Sequence, residues 1–425
     1  MELDTRDIAL TILTDIDVNK AFSSDALEAG LRKIQFDDKR DRAFITRLVE
    51  GTTEYRLQID EIIKHLTTTK LNKMKPAIRN ILRMGIYQIR YMDSVPERAA
   101  VNESVRLAKA HKLAGLSGFV NAILRNVSRK KEEIDELIES KLSIKYSIPG
   151  WIVNLLQNSY GEEMAEKILI SLYEDRPTTV RVNRVVTDKE TLKKKLIEAG
   201  ITVAESEEAE DALLISGYDF IRRIPGYKTG DFSVEDISSM LSVVATGVKE
   251  GDKVLDVCAA PGGKTAYFAE KGARVRSRDI SEDKLELIRE NVERLKIDDR
   301  VICERKDALV RDTNSIGVYD IVLCDVPCSG LGVMGRKNDI KYRVSPQDLV
   351  ALSKMGLKML IVSSEYVKHG GILSYSTCTI NPEENERNVE RFLKDNKEYE
   401  KIEERLFLQG RDDTDGFYYC IMKRK

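Results

Sequence analysis

Two cysteines carry the strongest chemical signal in this chain. Cys328 lies in Asp325-Val326-Pro327-Cys328-Ser329-Gly330 and Cys378 in Tyr375-Ser376-Thr377-Cys378-Thr379, and at each an apolar strand pattern stops and a turn begins. Thiols at two strand ends suit chemistry on a pyrimidine ring. The C5 carbon of cytosine or uracil does not attack a methyl donor until a thiolate adds at the neighbouring C6. One thiol would attack and the other would help to release the product. The bland alternative for either thiol alone is a small buried hydrophobe, the commonest state of a free cysteine.

The elements that would position these residues follow a strand, turn, helix rhythm beyond Gly251. Val254–Val257, Ala273–Arg276, Arg300–Cys303, Asp320–Leu323 and Gly371–Tyr375 are the strand candidates, and their alternation with helices predicts an open parallel sheet covered on both faces. Arg274, Arg276 and Arg278 fit poorly in a buried parallel strand, which leaves the limits of the second strand open.

The first strand runs into Cys258-Ala259-Ala260-Pro261-Gly262-Gly263-Lys264, a turn of small residues that opens a helix. Small residues let backbone N–H groups approach a ligand, and a helix N-terminus favours carboxylate or phosphate. Asp279 follows about 20 residues later, the spacing at which an acid receives ribose hydroxyls. Asp307 and Asp325 close the next two strands. A turn and three acids at four strand ends predict a nucleoside-containing cofactor. The turn has neither GxGxxG nor GxxxxGK[ST], which favours S-adenosylmethionine over a nicotinamide or ATP. The competing reading is a Gly-Gly turn that serves packing alone.

The 425 residues, 42% hydrophobic and 33% charged, suffice for large cores and several domains. No stretch approaches the roughly 18 to 20 apolar residues of a membrane span, and Met1-Glu2-Leu3-Asp4 is acidic rather than the start of a signal peptide, so a cytoplasmic address is expected. The six cysteines, Cys258, Cys303, Cys324, Cys328, Cys378 and Cys420, lack the spacing of a disulfide framework. With three histidines and no CxxC near them, no metal is expected.

Residues 1–130 read as an all-helical domain, with Ile8, Leu10, Ile12, Leu13, then Phe44, Ile45, Leu48, Val49, then Ile78, Ile81, Leu82, Ile86, Ile89 at three- and four-residue spacing. Gly51, Pro76, Pro96 and Gly115-Leu116-Ser117-Gly118 mark expected breaks between helices. Residues 131–175 read as a helical linker region, 176–235 as a small α/β subdomain and 236–425 as the sheet domain. The net charge of −2 hides an asymmetry, because residues 71–130 carry 12 Lys/Arg against 3 Asp/Glu. Such a stretch is either a docking face for a polyanion or a solvated helical face.

The segments DVCAAPGGKT, DVPCSG and YSTCTINPEENE resemble the cofactor, first-cysteine and second-cysteine motifs of the NOP2/Sun/NSUN superfamily of RNA cytosine-5 methyltransferases. The start of the chain, in DRAFITRLVEG, ILRMGIYQI, the Asn102-Glu103 region and GFVNAILRNV, is similar to NusB-type RNA-binding domains. With SIPGW at 147–151 this is the arrangement of the RsmB/Sun family of bacterial 16S ribosomal RNA methyltransferases. The resemblance implies a NusB-like helical bundle, a small α/β insert and a Rossmann-like methyltransferase sheet. It also implies Cys378 as nucleophile, Cys328 as the residue that assists breakdown of the adduct, and Asp325 as a hydrogen-bonding partner for N3 or the exocyclic amine of the base. A protonated or shared Asp325 carboxyl would stabilise charge developing on the ring. Residues 258–264, Asp279, Asp307 and Asp325 would hold S-adenosylmethionine, with Lys264 contacting Asp325 or the cofactor unless it is a helix-start surface lysine.

The implied partner is 16S ribosomal RNA outside the assembled subunit, and the implied state a monomer with no membrane or metal partner. Two departures from the pattern, Glu235-Asp236 and Arg336-Lys337-Asn338-Asp339, bear on the substrate loop and not on the thiols. Arg181 and Asn183 match the family's RVN, for which packing of the insert is the simpler explanation. Two other functions stay open on sequence alone. One is a NusB-like RNA-binding or transcription factor with a non-catalytic methyltransferase scaffold; the other is a tRNA cytosine-5 methyltransferase.

Overall fold

The computed structural model describes residues 4–32 and 39–425, so the first three residues of the acidic start lie outside the described residues. The chain forms two compact units, Met1–Ile170 with Met334–Arg343, and Ser171–Val333 with Val344–Lys425.

The first unit is helical: α1 (Thr5–Val18), α2 (Ser23–Arg32), α3 (Lys39–Glu54), α4 (Arg56–Leu66), α5 (Pro76–Tyr91), α6 (Glu97–Ala110), α7 (Ser117–Arg129), α8 (Lys131–Glu139), α9 (Leu142–Lys145), α10 (Gly150–Tyr160) and α11 (Glu162–Ser171). The apolar residues spaced at three and four positions on α1, α3 and α5 meet in one core, in which Leu10, Ile45, Leu48, Ile81, Leu82 and Ile86 are buried. Pro76 opens α5 at its first turn and Pro96 caps α6, as the sequence suggests. Gly51 is no break. It lies inside α3, where a Cβ would fall 2.0 Å from the Tyr87 ring, so the glycine permits a close helix approach.

Part of the basic window is paired with acids. Arg79 pairs with Asp17 at 2.5 Å, Arg83 with Asp60 at 2.7 Å, Arg90 with Asp135 at 2.6 Å and Arg106 with Asp4 at 2.5 Å, all carboxylates from outside residues 71–130. Lys73, Lys75, Lys109, Lys112 and Arg129 remain exposed. Met334–Arg343, which carries the departure at Arg336–Asp339, belongs to this unit. Asp339 Oδ2 accepts the Ser23 N–H at 3.0 Å, Tyr342 Oη accepts the Leu57 N–H at 3.2 Å, and the Arg56 guanidinium lies 3.8 Å from the centre of the Tyr342 ring.

The second unit begins with an antiparallel sheet of β1 (Thr178–Val182), β2 (Thr202–Glu205), β3 (Ala212–Ser216) and β4 (Phe232–Val234), in the order β2-β3-β1-β4, with α12 (Lys189–Glu198) between β1 and β2 in sequence. Arg181 of β1 is fully buried, 2.9 Å from both Glu235 and Glu270 and 4.5 Å from the centre of the Tyr267 ring. Asn183 Nδ2 donates to the carbonyls of Gly230 and Leu295 at 2.8 Å. Both side chains therefore pack and anchor the small sheet.

After α13 (Ile237–Val244) come β5 (Lys253–Asp256), α14 (Gly263–Glu270), β6 (Arg274–Asp279), α15 (Glu282–Arg294), β7 (Val301–Arg305), β8 (Tyr319–Asp325), α16 (Pro346–Ser364), β9 (Val367–Thr377), α17 (Glu386–Asp395), β10 (Tyr399–Phe407) and β11 (Phe417–Arg424). The strand order is β10-β11-β9-β8-β5-β6-β7. Val254, Ile321 and Leu323 join a core with α14 and α15, whereas Leu255, Val322 and Cys324 join another with α16 and α17. Covering both faces explains the unbroken apolar runs.

Two sequence expectations change. The sheet is mixed, because β11 and β10 add antiparallel strands beside β9. The second strand also runs on to Asp279 and carries its arginines, since Arg278 donates to Glu304 at 3.0 Å and to Asp312 at 2.8 Å and is neutralised where it is buried.

One close approach pins the turn after β8. Gly332 N–H donates to the Cys378 carbonyl at 3.1 Å and Gly416 N–H to the Gly332 carbonyl at 2.8 Å, and a Cβ on Gly332 would lie 1.8 Å from the Gly416 oxygen. Gly332→Ala should therefore lower stability by about 1–3 kcal/mol, the usual cost of overpacking. Gly118→Ala, on α7 with nothing within 4 Å of its Cβ, should be neutral or slightly stabilising. Calorimetric melts of the two variants check this, and equal transitions would contradict it.

Candidate active site at the carboxyl edge of the sheet

The parallel pairing of β8 with β9 sets Asp325 opposite Ser376 and Cys324 opposite Tyr375. Both strands then end together, and the turns that follow bring the Cys328 and Cys378 sulfurs to 3.4 Å. Neither thiol is in a disulfide. The hydrogen bond to Cys378 and burial hold the Cys328 thiol well above the ordinary cysteine range. Cys328 is therefore held in its thiol form, and either sulfur can donate across the 3.4 Å contact.

Asp325 closes β8 beside the thiols. Its Oδ2 accepts from Lys264 Nζ at 2.7 Å and its Oδ1 from Ser376 Oγ at 2.7 Å, so both carboxylate oxygens act as acceptors. Lys264 is not a surface lysine. Burial opposes its charge, but the Asp325 carboxylate outweighs this and raises the ammonium pKa. Its Nζ also lies 5.0 Å from the centre of the Phe417 ring on β11. The ends of β8 and β9 thus carry a half-buried ammonium–carboxylate pair and two sulfurs.

The Cys258–Lys264 turn leaves β5 at the same edge, where strand order reverses between β8 and β6. Crevices at such points in α/β sheets take ligands. Gly262 caps α14 with φ +101°, a conformation that side-chain-bearing residues rarely adopt. Ala259 N–H donates to the Arg278 carbonyl at 2.9 Å, and Ala260 N–H reaches Asp279 Oδ2 at 3.3 Å. Asp279 Oδ1 accepts from Ile280 N–H at 2.8 Å, which makes this acid a clamp between the turn and β6. Pro261 O accepts from Asn291 Nδ2 at 2.9 Å. Asp307 accepts the Leu309 N–H at 2.9 Å beyond β7. A small-residue turn at a helix start, flanked by carboxylates at successive strand ends, matches the amino-acid and nucleoside parts of S-adenosylmethionine in donor type and charge.

The structure brings Cys328, Cys378, Asp325 and Lys264 together and sets Asp279 against the cofactor turn; Asp307 stands at the next strand end. Cys258 is partly exposed in that turn, whereas Cys324 and Cys420 are buried in the sheet core. Sequence reasoning passed over Asp256, Ser376 and Phe417. Asp256, fully buried at the end of β5, has its pKa raised by burial to about 7 despite the Thr265 hydroxyl donating to it at 2.8 Å. It was visible as one more strand-end acid. Phe417 had no signal, since its role depends on a strand far along the chain.

Three family descriptions match the chain: the NusB family over residues 3–129, the RsmF/B-like ferredoxin-like domain over 148–219, and the 16S rRNA methyltransferase RsmB/F over 243–422. The "Probable ribosomal RNA small subunit methyltransferase B" of Bacillus subtilis is 34% identical over 99% of this chain and 98% of its own length. The "Ribosomal RNA small subunit methyltransferase B" of Vibrio cholerae is 32% identical over 95% of this chain and 93% of its own. Among solved structures, PH0851 superposes with a TM-score of 0.84 at 22% identity over the whole of both chains. NSun6 from Pyrococcus horikoshii, solved with SFG, gives a TM-score of 0.59 at 20% identity over 65% of this chain and 98% of that one. These two likenesses concern the fold. The near full-length identity to the two bacterial enzymes, together with the matched domains, establishes that this chain belongs to the RsmB/F family of 16S rRNA methyltransferases.

Proposed function

We propose that the protein methylates C5 of a cytosine in 16S ribosomal RNA through a transient thioether between Cys378 and the ring. The observation that carries this reading is the 3.4 Å pairing of two sulfurs beside the Lys264–Asp325 ion pair. Cys378 attacks C6 as the thiolate, while its contact with Cys328 and burial keep Cys328 a thiol during this step. Asp325, an acceptor at both oxygens, suits the N4 amine of cytosine, and Lys264 supplies N–H donors where negative charge develops on the ring. The Cys258–Lys264 turn with Asp279 and Asp307 would hold S-adenosylmethionine, which when bound supplies the electrophilic methyl group. Once Cys378 is consumed by the ring, the largest cause of the raised Cys328 pKa is gone, so Cys328 can release its own proton to solvent and the resulting thiolate takes the C5 proton. The exposed Lys73, Lys75, Lys109, Lys112 and Arg129 would dock the RNA backbone. Bisulfite mapping of total RNA with and without the protein tests the whole reading, since a lost methyl mark in tRNA rather than in 16S rRNA would refute the substrate.

The division of roles predicts that Cys328→Ala accumulates a covalent RNA adduct, because attack proceeds and release stalls. Cys378→Ala should form no adduct and lose activity. Denaturing gels of each variant with RNA and cofactor check this, and the opposite pattern reverses the assignment.

Asp279→Ala removes both a cofactor acceptor and the Ala260 clamp, so S-adenosylmethionine should bind about 1–3 kcal/mol more weakly, as for loss of a charged hydrogen bond. RNA affinity should hold. Titration calorimetry that returned the wild-type cofactor affinity would remove Asp279 from the pocket.

Replacing Lys109 and Lys112 with alanine should weaken RNA binding. It should also flatten the slope of log affinity against log salt by about 0.9 for each phosphate that is no longer neutralised. Cofactor affinity should stay at the wild-type value. An unchanged salt slope would assign the helical unit a role other than docking phosphates.

A further inference from the structure

The motif around Cys378 continues through Thr379-Ile380-Asn381-Pro382-Glu383-Glu384-Asn385, and the proposed reaction uses none of these residues. Glu384 is 1% exposed. Its Oε2 accepts the Ser329 N–H at 2.8 Å, and its Oε1 accepts from Ser329 Oγ at 2.6 Å and from Asn381 Nδ2 at 2.9 Å. Ser329 immediately follows Cys328. On the other turn, Ser329 Oγ lies 2.7 Å from Thr379 Oγ1, Asn385 Nδ2 donates to the Thr379 carbonyl at 2.9 Å, and Thr377 Oγ1 donates to Asn385 Oδ1 at 2.5 Å. The residue after one thiol and the residues on both sides of the other are thus fastened to neighbouring side chains of a single loop.

Burying a carboxylate is costly, and here three neutral donors surround it in place of a cation. A glutamine of the same shape would avoid that cost. What the carboxylate offers in return is acceptors on both oxygens, so that Oε2 can take one backbone N–H while Oε1 takes two side-chain donors. We propose that Glu384 is a positioning residue for product release, holding the Cys328 turn against the Cys378 turn so that the Cys328 sulfur meets the C5 proton of the adduct. This inference rests on the roles proposed above for the two thiols. In the release step Cys328, its own proton already lost to solvent, takes the proton of the C5–H bond as that bond breaks. The electron pair forms the C5–C6 double bond, and the C6–S bond breaks to return a Cys378 thiolate. Attack needs Cys378 alone, whereas release needs both sulfurs in register, so loosening the bridge should affect the second step selectively.

The test is a single-turnover reaction of the full-length protein with a 16S rRNA transcript and S-adenosylmethionine, quenched into denaturing gels. Glu384→Gln should form adduct within about twofold of the wild-type rate and resolve it about tenfold or more slowly, as expected when a reacting group is displaced by a fraction of an ångström. Glu384→Asp, which keeps both acceptors on a shorter arm, should recover part of the release rate. Formation and release slowed in equal proportion, or release at the wild-type rate, would overturn the proposal. If Glu384→Gln does not fold, Ser329→Ala decides, because it removes one bond of the bridge and keeps the N–H. Slower release by a smaller factor supports the proposal and unchanged release overturns it. Cys328→Ala run in parallel separates the two levels. If that variant traps no adduct, the thiol roles themselves fail; if it traps adduct while the Glu384 variants release normally, only the positioning role fails.

Discussion

The site depends first on the register of two neighbouring parallel strands. Asp325 opposite Ser376 lets β8 and β9 end at the same level, and the Ser376 hydroxyl then reaches the Asp325 carboxylate across the pair. A slip of one residue would turn every side chain of one strand to the other face. Asp325 would lose Ser376, and the turn that carries Cys328 would no longer meet the one that carries Cys378. What fixes the register is the double-faced burial of both strands, since Ile321 and Leu323 serve one core while Val322, Leu373 and Tyr375 serve the other. The chemistry at the strand ends is therefore specified by apolar residues in their middles.

Buried charge is the second constraint, and it is met differently at each place. Arg181 is held between Glu235 and Glu270 behind the cofactor turn, an arrangement whose breakage would leave a charge stranded in the core. Lys264 keeps its proton because Asp325 is 2.7 Å away. Asp256 has only neutral partners, and burial raises its pKa to about 7.

Much of this was legible in the sequence because local patterns happened to coincide with tertiary roles. The helical spacing of Leu10, Ile45 and Ile81, the turn at Cys258–Lys264 and the acids closing successive strands all lie in short windows, and the structure forms the corresponding elements. The misses share a different cause. β10 reads as Glu400-Lys401-Ile402-Glu403-Glu404-Arg405 because it is an edge strand with its residues largely in water, so no apolar alternation marks it. Arg278 looked foreign to a buried strand because Glu304 and Asp312, which neutralise it, come from later in the chain. In the basic window from 71 to 130 the sequence count likewise omits Asp4, Asp17, Asp60 and Asp135, which fold back to pair with four of its arginines. Gly51 read as a helix break because the Tyr87 ring that requires its missing side chain is also distant in sequence.

The two sulfurs also explain why the proposed reaction needs a pair rather than a better single thiol. At 3.4 Å and in a buried turn, both cannot be ionised together, because like charges at that separation repel strongly where water is scarce. At most one of the two is therefore a thiolate at a time. While Cys378 is free, its contact and burial keep Cys328 a thiol, which cannot serve as the base. In the proposed reaction, conversion of Cys378 to a thioether removes the largest of those causes, so Cys328 can lose its proton to solvent and stand as the thiolate that release demands. In the proposed reaction the 3.4 Å separation of the sulfurs thus couples the availability of the Cys328 thiolate to the attack by Cys378.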